Sequence, residues 1–214
     1  MRRRYTASQA RLSVAELAAR LIAEEGISSY QLAKQKAAER LGMKGRQHLP
    51  DNREIETVLA QYQRLFQGQT QAQHLQTRRR TALAAMRFLS PFSPRLVGPV
   101  LSGTACEYTS VTLHVFTDTL EDIALILSEH GIPYKLEERR LRQNATTLMR
   151  YPCYRFIAGE VPVELVVFSL KEIHHPPLSP VDGKPMRRAD RLTLEGMMDE
   201  SSVTPPAGVY PSSF

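Results

Sequence analysis

The apolar residues of this chain recur at helical spacing as far as Leu89 and at strand spacing beyond Pro94, so Pro91-Phe92-Ser93-Pro94 marks a single change of period. Proline breaks a helix because it lacks the amide donor and its ring clashes with the preceding turn. Such patterning predicts an α+β fold: a basic helical region over residues 1–90, a mixed β-sheet with helices over 95–170, and a proline-rich tail over 171–214 that wraps the core.

Four helices are predicted before the break. In the first, Val14, Leu17, Ala18, Leu21 and Ile22 form an apolar stripe, Ser13 and Glu16 make a capping box at its start, and Gly26 ends it. The second runs from Ser28 or Ser29 to Leu41-Gly42 with Leu32, Ala33, Ala37 and Leu41 inward. Asp51 caps a third that gathers Ile55, Val58, Leu59, Tyr62, Leu65 and Phe66 on one face. A Gln-rich link from Gln67 to Gln73 leads to the fourth, with Leu75, Ala82, Leu83, Met86 and Leu89 inward.

After the break, 109–116 alternates as a strand, and Asp118 or Thr119 caps a helix that Gly131 stops. Segments 132–138, 147–157 and 161–169 read as further strands, the last two joined through Ala158-Gly159-Glu160. The tail holds a short helix over 188–198, and its final serines and prolines bury little.

With 214 residues the chain can bury a real core as one domain or two small ones. No apolar run approaches the roughly 18 residues of a membrane span, and no signal-peptide pattern follows Met1, which points to a cytoplasmic protein. Cys106 and Cys153 are too few for a cysteine zinc cage or a disulfide framework and read as small packing groups. His174-His175, followed by two prolines and without an Asp or Cys at ligand spacing, reads as a surface loop. Neither a metal nor a cofactor is expected.

Charge is divided unevenly. Residues 1–91 hold sixteen Lys and Arg against seven Asp and Glu, while residues 92–214 hold twelve against fifteen. A basic half suggests an acidic partner, nucleic acid or protein, because cations that neutralise phosphates release counterions. Lys34, Lys36 and Arg40 on the second helix and Arg78-Arg79-Arg80 on the fourth are the candidate contacts. The first two helices, joined by a short turn, also fit a helix-turn-helix, although an ordinary αα-hairpin is the preferred reading.

The residues around the long central strand bear on chemistry. Gly103-Thr104 precedes it, Ser110 and Thr112 alternate along it, and Glu164 lies on the last strand. This arrangement resembles a nucleotidyltransferase core, in which Gly-Ser precedes a strand with Asp-x-Asp and a later strand supplies a third carboxylate. The resemblance places Ser110 and Thr112 at the two Asp positions and leaves Glu164 as the retained acid. Nucleotidyl transfer needs clustered carboxylates to hold magnesium against the phosphates, a role hydroxyls cannot fill. It implies a degenerate site whose candidate residues are Gly103, Thr104, Ser110, Thr112 and Glu164. The loop 105–109 is also shorter than the phosphate-cradling turn of that family.

More broadly, Ile27-Ser28-Ser29-Tyr30-Gln31-Leu32-Ala33-Lys34, Leu101-Ser102-Gly103-Thr104-Ala105 and Ser179-Pro180-Val181-Asp182-Gly183-Lys184-Pro185-Met186-Arg187-Arg188 resemble a group of short proteobacterial proteins, some labelled UDP-N-acetylmuramate–alanine ligase. A ligase of that kind needs a Gly-rich ATP loop ending in Gly-Lys-Ser or Gly-Lys-Thr, and this chain has none.

The expected function is therefore a catalytically degenerate, nucleotidyltransferase-like binding or scaffolding module whose basic helices contact nucleic acid or an acidic protein. Two alternatives stay open: an active metal-dependent transferase in which Glu107 or Asp118 joins Glu164, and a protein-interaction module whose basic face is merely solvated. His114 reads as a satisfied strand histidine or a pocket residue, and Arg139-Arg140-Leu141-Arg142, which could grip phosphate, reads rather as a solvated hairpin tip paired with Glu137 and Glu138.

Overall fold

A computed structural model describes residues 7–203 apart from 44, 46 and 47. Helices α1 (Ala7–Glu25), α2 (Tyr30–Arg40) and α3 (Asn52–Phe66) form a bundle whose core includes Val14, Ala18, Leu21, Ala33, Ala37, Ile55 and Leu59. The alanines of α2 bring its backbone close to its neighbours. Ser29 caps α2 by accepting the Leu32 N–H at 3.3 Å, and Asp51 shares a reciprocal capping box with Glu54 at the start of α3. Gly26 ends α1 at φ +69°, a conformation that suits a residue without Cβ.

Three expectations for the bundle are corrected. Ser13 lies inside α1, which already runs from Ala7, so it caps nothing. Leu32 and Leu41 are exposed because the buried row of α2 is Ala33, Ala37 and Ala38. On α3 the buried row is Ile55, Leu59 and Gln63, which rotates Leu65 and Phe66 outward to 70% and 72% exposure.

Helix α4 (Gly68–Phe88) absorbs the Gln-rich segment, since glutamine is a good helix former. It packs with the sheet: Ala82, Ala85, Met86 and Leu89 join the sheet's core, so the division between cores falls between α3 and α4 rather than at residue 91. The proline segment forms a 3₁₀ turn, Ser90–Phe92, ending at Ser93 with φ +47°.

There follow β1 (Arg95–Val97), α5 (Pro99–Ser102), β2 (Val111–Phe116), α6 (Leu120–Glu129), β3 (Lys135–Arg142), β4 (Leu148–Ala158), β5 (Val161–Phe168) and α7 (Arg191–Val203). The fold is α+β. Its mixed sheet has the order β1-β2-β5-β4-β3, with β2 and β5 parallel and the other pairs antiparallel. Gly159, at φ +64°, sits in the two-residue turn that sets Ala158 opposite Val161. Residues 139–142 are not a hairpin tip, because β4 is long enough to pair with β3 as far as Arg142.

Val111, Leu113 and Val115 of β2, with Val163, Leu165 and Val167 of β5, face α4, α6 and α7. Alternation turns Thr112, His114 and Phe116, with Glu164, Val166 and Phe168, to the other face. That second face is covered too, which is why β2 is nearly all buried rather than half-buried.

The tail wraps the core as expected. Ala189 bridges to Leu96, the Leu178 N–H donates to the Arg142 carbonyl at 2.7 Å, and α7 lies on α4 with Arg87 and Glu195 paired at 2.9 Å. The final prolines and serines from Pro205 onward lie outside the described residues. No described helix is long and apolar enough to cross a membrane.

Candidate functional site

Register assembles the site. Parallel pairing sets Thr112 opposite Glu164, and antiparallel pairing sets Arg155 opposite Glu164, so a hydroxyl, a carboxylate and a guanidinium stand in a row across β2, β5 and β4. From β3, Arg139 donates to one Glu164 oxygen at 2.6 Å, while Arg155 approaches the other at 3.5 Å. The Glu164 side chain is only 10% exposed, and these two cations balance a charge that burial would otherwise penalise. Arg155 also reaches Glu137 at 3.2 Å, and its own proton is held more tightly, chiefly through that hydrogen bond.

Above this row lies a cavity of about 320 Å³ between the sheet and the helical bundle. It brings together Thr104, Ser110, Thr112 and Glu164 of the five residues singled out in the sequence, and adds Ser28 and Tyr30 from the bundle and Arg139 and Arg155 from the sheet. Gly103, at φ +89°, is not part of the lining; its carbonyl accepts from Gln71 at 2.8 Å. Tyr108 closes one wall, its ring seated against Gly26.

The loop from Gly103 to Thr109 has no ladder to satisfy its carbonyls, and α3 and α4 supply the donors instead. Gln63 donates to Thr104 at 3.0 Å, Gln71 to Ala105 at 3.2 Å, and Arg78 to Thr109 at 2.7 Å, with further bonds from Arg78 to the Glu107 and His74 carbonyls. Arg79 is buried as well and donates to Val100 at 3.4 Å. Burial lowers the pKa of both arginines.

The expectation that Arg78 and Arg79 meet nucleic acid is therefore corrected: their guanidinium groups serve backbone carbonyls and are withdrawn from solvent. Arg80 is exposed. Lys34 donates to the Pro50 carbonyl and to Asn52, fastening α2 to the start of α3, and its pKa is lowered by burial. Arg40 holds Glu25 through two bonds of 2.7 and 3.0 Å. Lys36 is exposed.

The acids proposed to assist Glu164 lie elsewhere. Glu107 is in the loop and exposed, and Asp118 accepts the Leu170 N–H at 3.1 Å beyond the end of β2; neither lines the cavity. Among the described residues no group of three or more His, Cys, Asp or Glu side chains is placed to hold a metal ion. A lone carboxylate gripped by two arginines cannot act as a magnesium clamp, whereas guanidinium forks and hydroxyls together can receive an oxyanion.

A second cavity, of about 400 Å³, adjoins the first and shares Ser28, Tyr30, Pro99, Thr112 and Arg139 with it. The tail loop from Ser179 to Arg187 forms one side, tied to α3 by the Asn52 amide donating to Pro180 at 2.6 Å. His114 lines this cavity, and Glu56 of α3 faces it with a pKa raised mainly by burial.

Arg139, Arg155, Ser28, Tyr30 and Glu56 were not singled out as site residues in the sequence. One signal was present: with Ala158 opposite Val161, counting back three residues puts Arg155 opposite Glu164. Arg139 comes only from the pairing of β3 with β4, and the residues of the bundle only from its seat on the sheet. No family model, no curated protein and no solved structure matches this chain.

Proposed function

We propose that this chain is a cytoplasmic binding module of nucleotidyltransferase-like architecture that holds a phosphate-bearing ligand over Thr112 and Glu164 without transferring nucleotide. The observation that carries this reading is the neutralisation of the cavity's one carboxylate by Arg139 and Arg155. Each arginine retains donors beyond those used on Glu164, and the lining adds the hydroxyls of Ser28, Tyr30, Thr104, Thr109, Ser110 and Thr112. Planar guanidinium groups favour phosphate through bidentate bonding, and hydroxyls suit the remaining oxygens. Of the six basic residues expected to contact nucleic acid, only Lys36 and Arg80 are exposed and outside a hydrogen-bonded pairing among the described residues, so a small ligand is preferred over a nucleic-acid strand.

Isothermal titration with pyrophosphate and with a nucleoside triphosphate, both in the presence of EDTA, tests the proposal. Saturable binding is expected, weakened roughly tenfold or more by Arg139→Ala and by Arg155→Ala. Absence of binding by either probe to the folded chain would overturn it.

A further inference from the structure

The second cavity is lined by a buried histidine. The Arg188 Nε donates to His114 Nδ1 at 3.0 Å, and since a guanidinium has no lone pair to offer, that imidazole nitrogen must be the bare one. Burial first, and the charges of Arg188 and Arg139 next, hold His114 well below the ordinary imidazole range, so the ring is neutral with its proton on Nε2. Among the described residues the bond from Arg188 is the hydrogen bond seen at His114, which is 1% exposed and lines the cavity, and the neighbouring Arg188 Nη2 is buried without a partner.

The tautomer is firmly set. Arg188 lies over the rings of Phe116 and Phe168, 4.9 Å from each centroid, and donates to the carbonyls of Glu172 and Ile173 at 2.8 and 3.0 Å. It acts here as a positioning residue.

We propose that this cavity is a second binding site, taking the oxyanion end, carboxylate or phosphate, of a small molecule with an apolar body. The His114 Nε2–H supplies a neutral donor, and Arg139 and Arg187 supply charge. Leu141, Val166 and Met186 supply apolar wall. Glu56 on α3 and Asp182 in the tail loop also line the cavity and disfavour a second anionic group on the ligand. A volume of about 400 Å³ is within the size range of small-molecule sites.

The test uses the full chain labelled with ¹⁵N at histidine and follows the imidazole nitrogens by NMR at neutral pH. Without ligand, His114 should show a neutral ring protonated on Nε2. Hexanoate and hexyl phosphate are then titrated in separate arms, with inorganic phosphate as the third. At least one of the two amphipathic probes should shift His114 Nε2 saturably, at a concentration roughly tenfold below that needed with inorganic phosphate, and the tighter of the two identifies the oxyanion.

Arg155→Ala, which lies outside this cavity, should leave that shift in place even though it weakens the first site. His114→Phe should reduce affinity for the tighter probe by roughly tenfold. A charged His114, a ring protonated on Nδ1, no shift with either amphipathic probe at millimolar concentration, or an equal response to inorganic phosphate would each overturn the proposal. The wild-type titration decides even if a substituted chain does not fold.

Discussion

Arg78 sits on a basic run that reads as a phosphate contact, yet its guanidinium bonds three backbone carbonyls within the protein. An unfolded-looking loop such as Gly103–Thr109 needs donors, and long cationic side chains reach where no strand can. Arg78→Met should leave buried carbonyls without partners and cost about 2–4 kcal/mol, while Arg80→Ala should change stability by no more than about 0.5 kcal/mol. Urea unfolding of the two variants separates them, and equal small effects would show that the Arg78 bonds are dispensable.

His114 gives a pH signature at the same scale. The unfolded side chain takes up a proton near pH 6.5, whereas the folded one, held neutral, does not. Below that pH the unfolded state therefore binds more protons. The stability from a neutral His114 is fully present above about pH 6.5 and declines as pH falls, by up to about 1.4 kcal/mol per pH unit. Urea midpoints between pH 7 and pH 5 should fall more steeply for the wild-type chain than for His114→Gln, and parallel slopes would contradict the assignment.

Among the elements, what was legible in the sequence followed from local physics. The cap at Asp51, the stop at Gly26, and the β4–β5 hairpin all depend on a few adjacent residues, and all are present. What was not legible depends on tertiary choice. Leu65 and Phe66 share a stripe with Ile55 and Leu59 in projection, but the bundle buries the row through Gln63 because that amide is needed at Thr104. Similarly, α4 looks like a fourth bundle helix until the sheet claims its apolar face. The candidate site was half-visible: Thr112 and Glu164 were identified, whereas Arg155 was not and Arg139 reads in the sequence as part of a solvated tip.

Gly26 gives the sharpest test at this scale. A Cβ there would stand 2.7 Å from Tyr108 Cγ on a backbone at φ +69°, whereas at Gly183, with φ +68°, nothing lies within 4 Å. Both alanine variants bear the cost of left-handed backbone, about 1–2 kcal/mol, but Gly26→Ala adds a clash with a cavity wall. Thermal melts should place Gly26→Ala clearly below Gly183→Ala, and adding Tyr108→Ala should recover part of the difference. Equal melts for the two glycine variants would show that Tyr108 moves aside freely.

At the scale of the whole molecule, the apolar core of the bundle is separate from the two on the faces of the sheet, and polar stitches join bundle to sheet. Gln63 to Thr104, Asn52 to Pro180 and the Cys106 thiol to the Ile22 carbonyl tie bundle to sheet around the two cavities. One cooperative melting transition is expected. Phe92 is only partly buried against the sheet core, so Phe92→Ala should lower that transition by about 1–3 kcal/mol, less than the loss of a fully buried ring. Two separate transitions, or proteolysis at Pro91–Pro94 that releases two stable fragments, would contradict the coupling.

In the proposed reading, Glu164, gripped by Arg139 and Arg155, belongs to a site that binds phosphate without metal-assisted transfer. The most direct measurement gives the wild-type chain a radiolabelled nucleoside triphosphate with candidate RNA and protein acceptors, in magnesium and in EDTA, recording bound and transferred label in the same samples. Comparable binding is expected in both conditions, with no transferred label in either. Magnesium-dependent transfer that Glu164→Gln abolishes would contradict it.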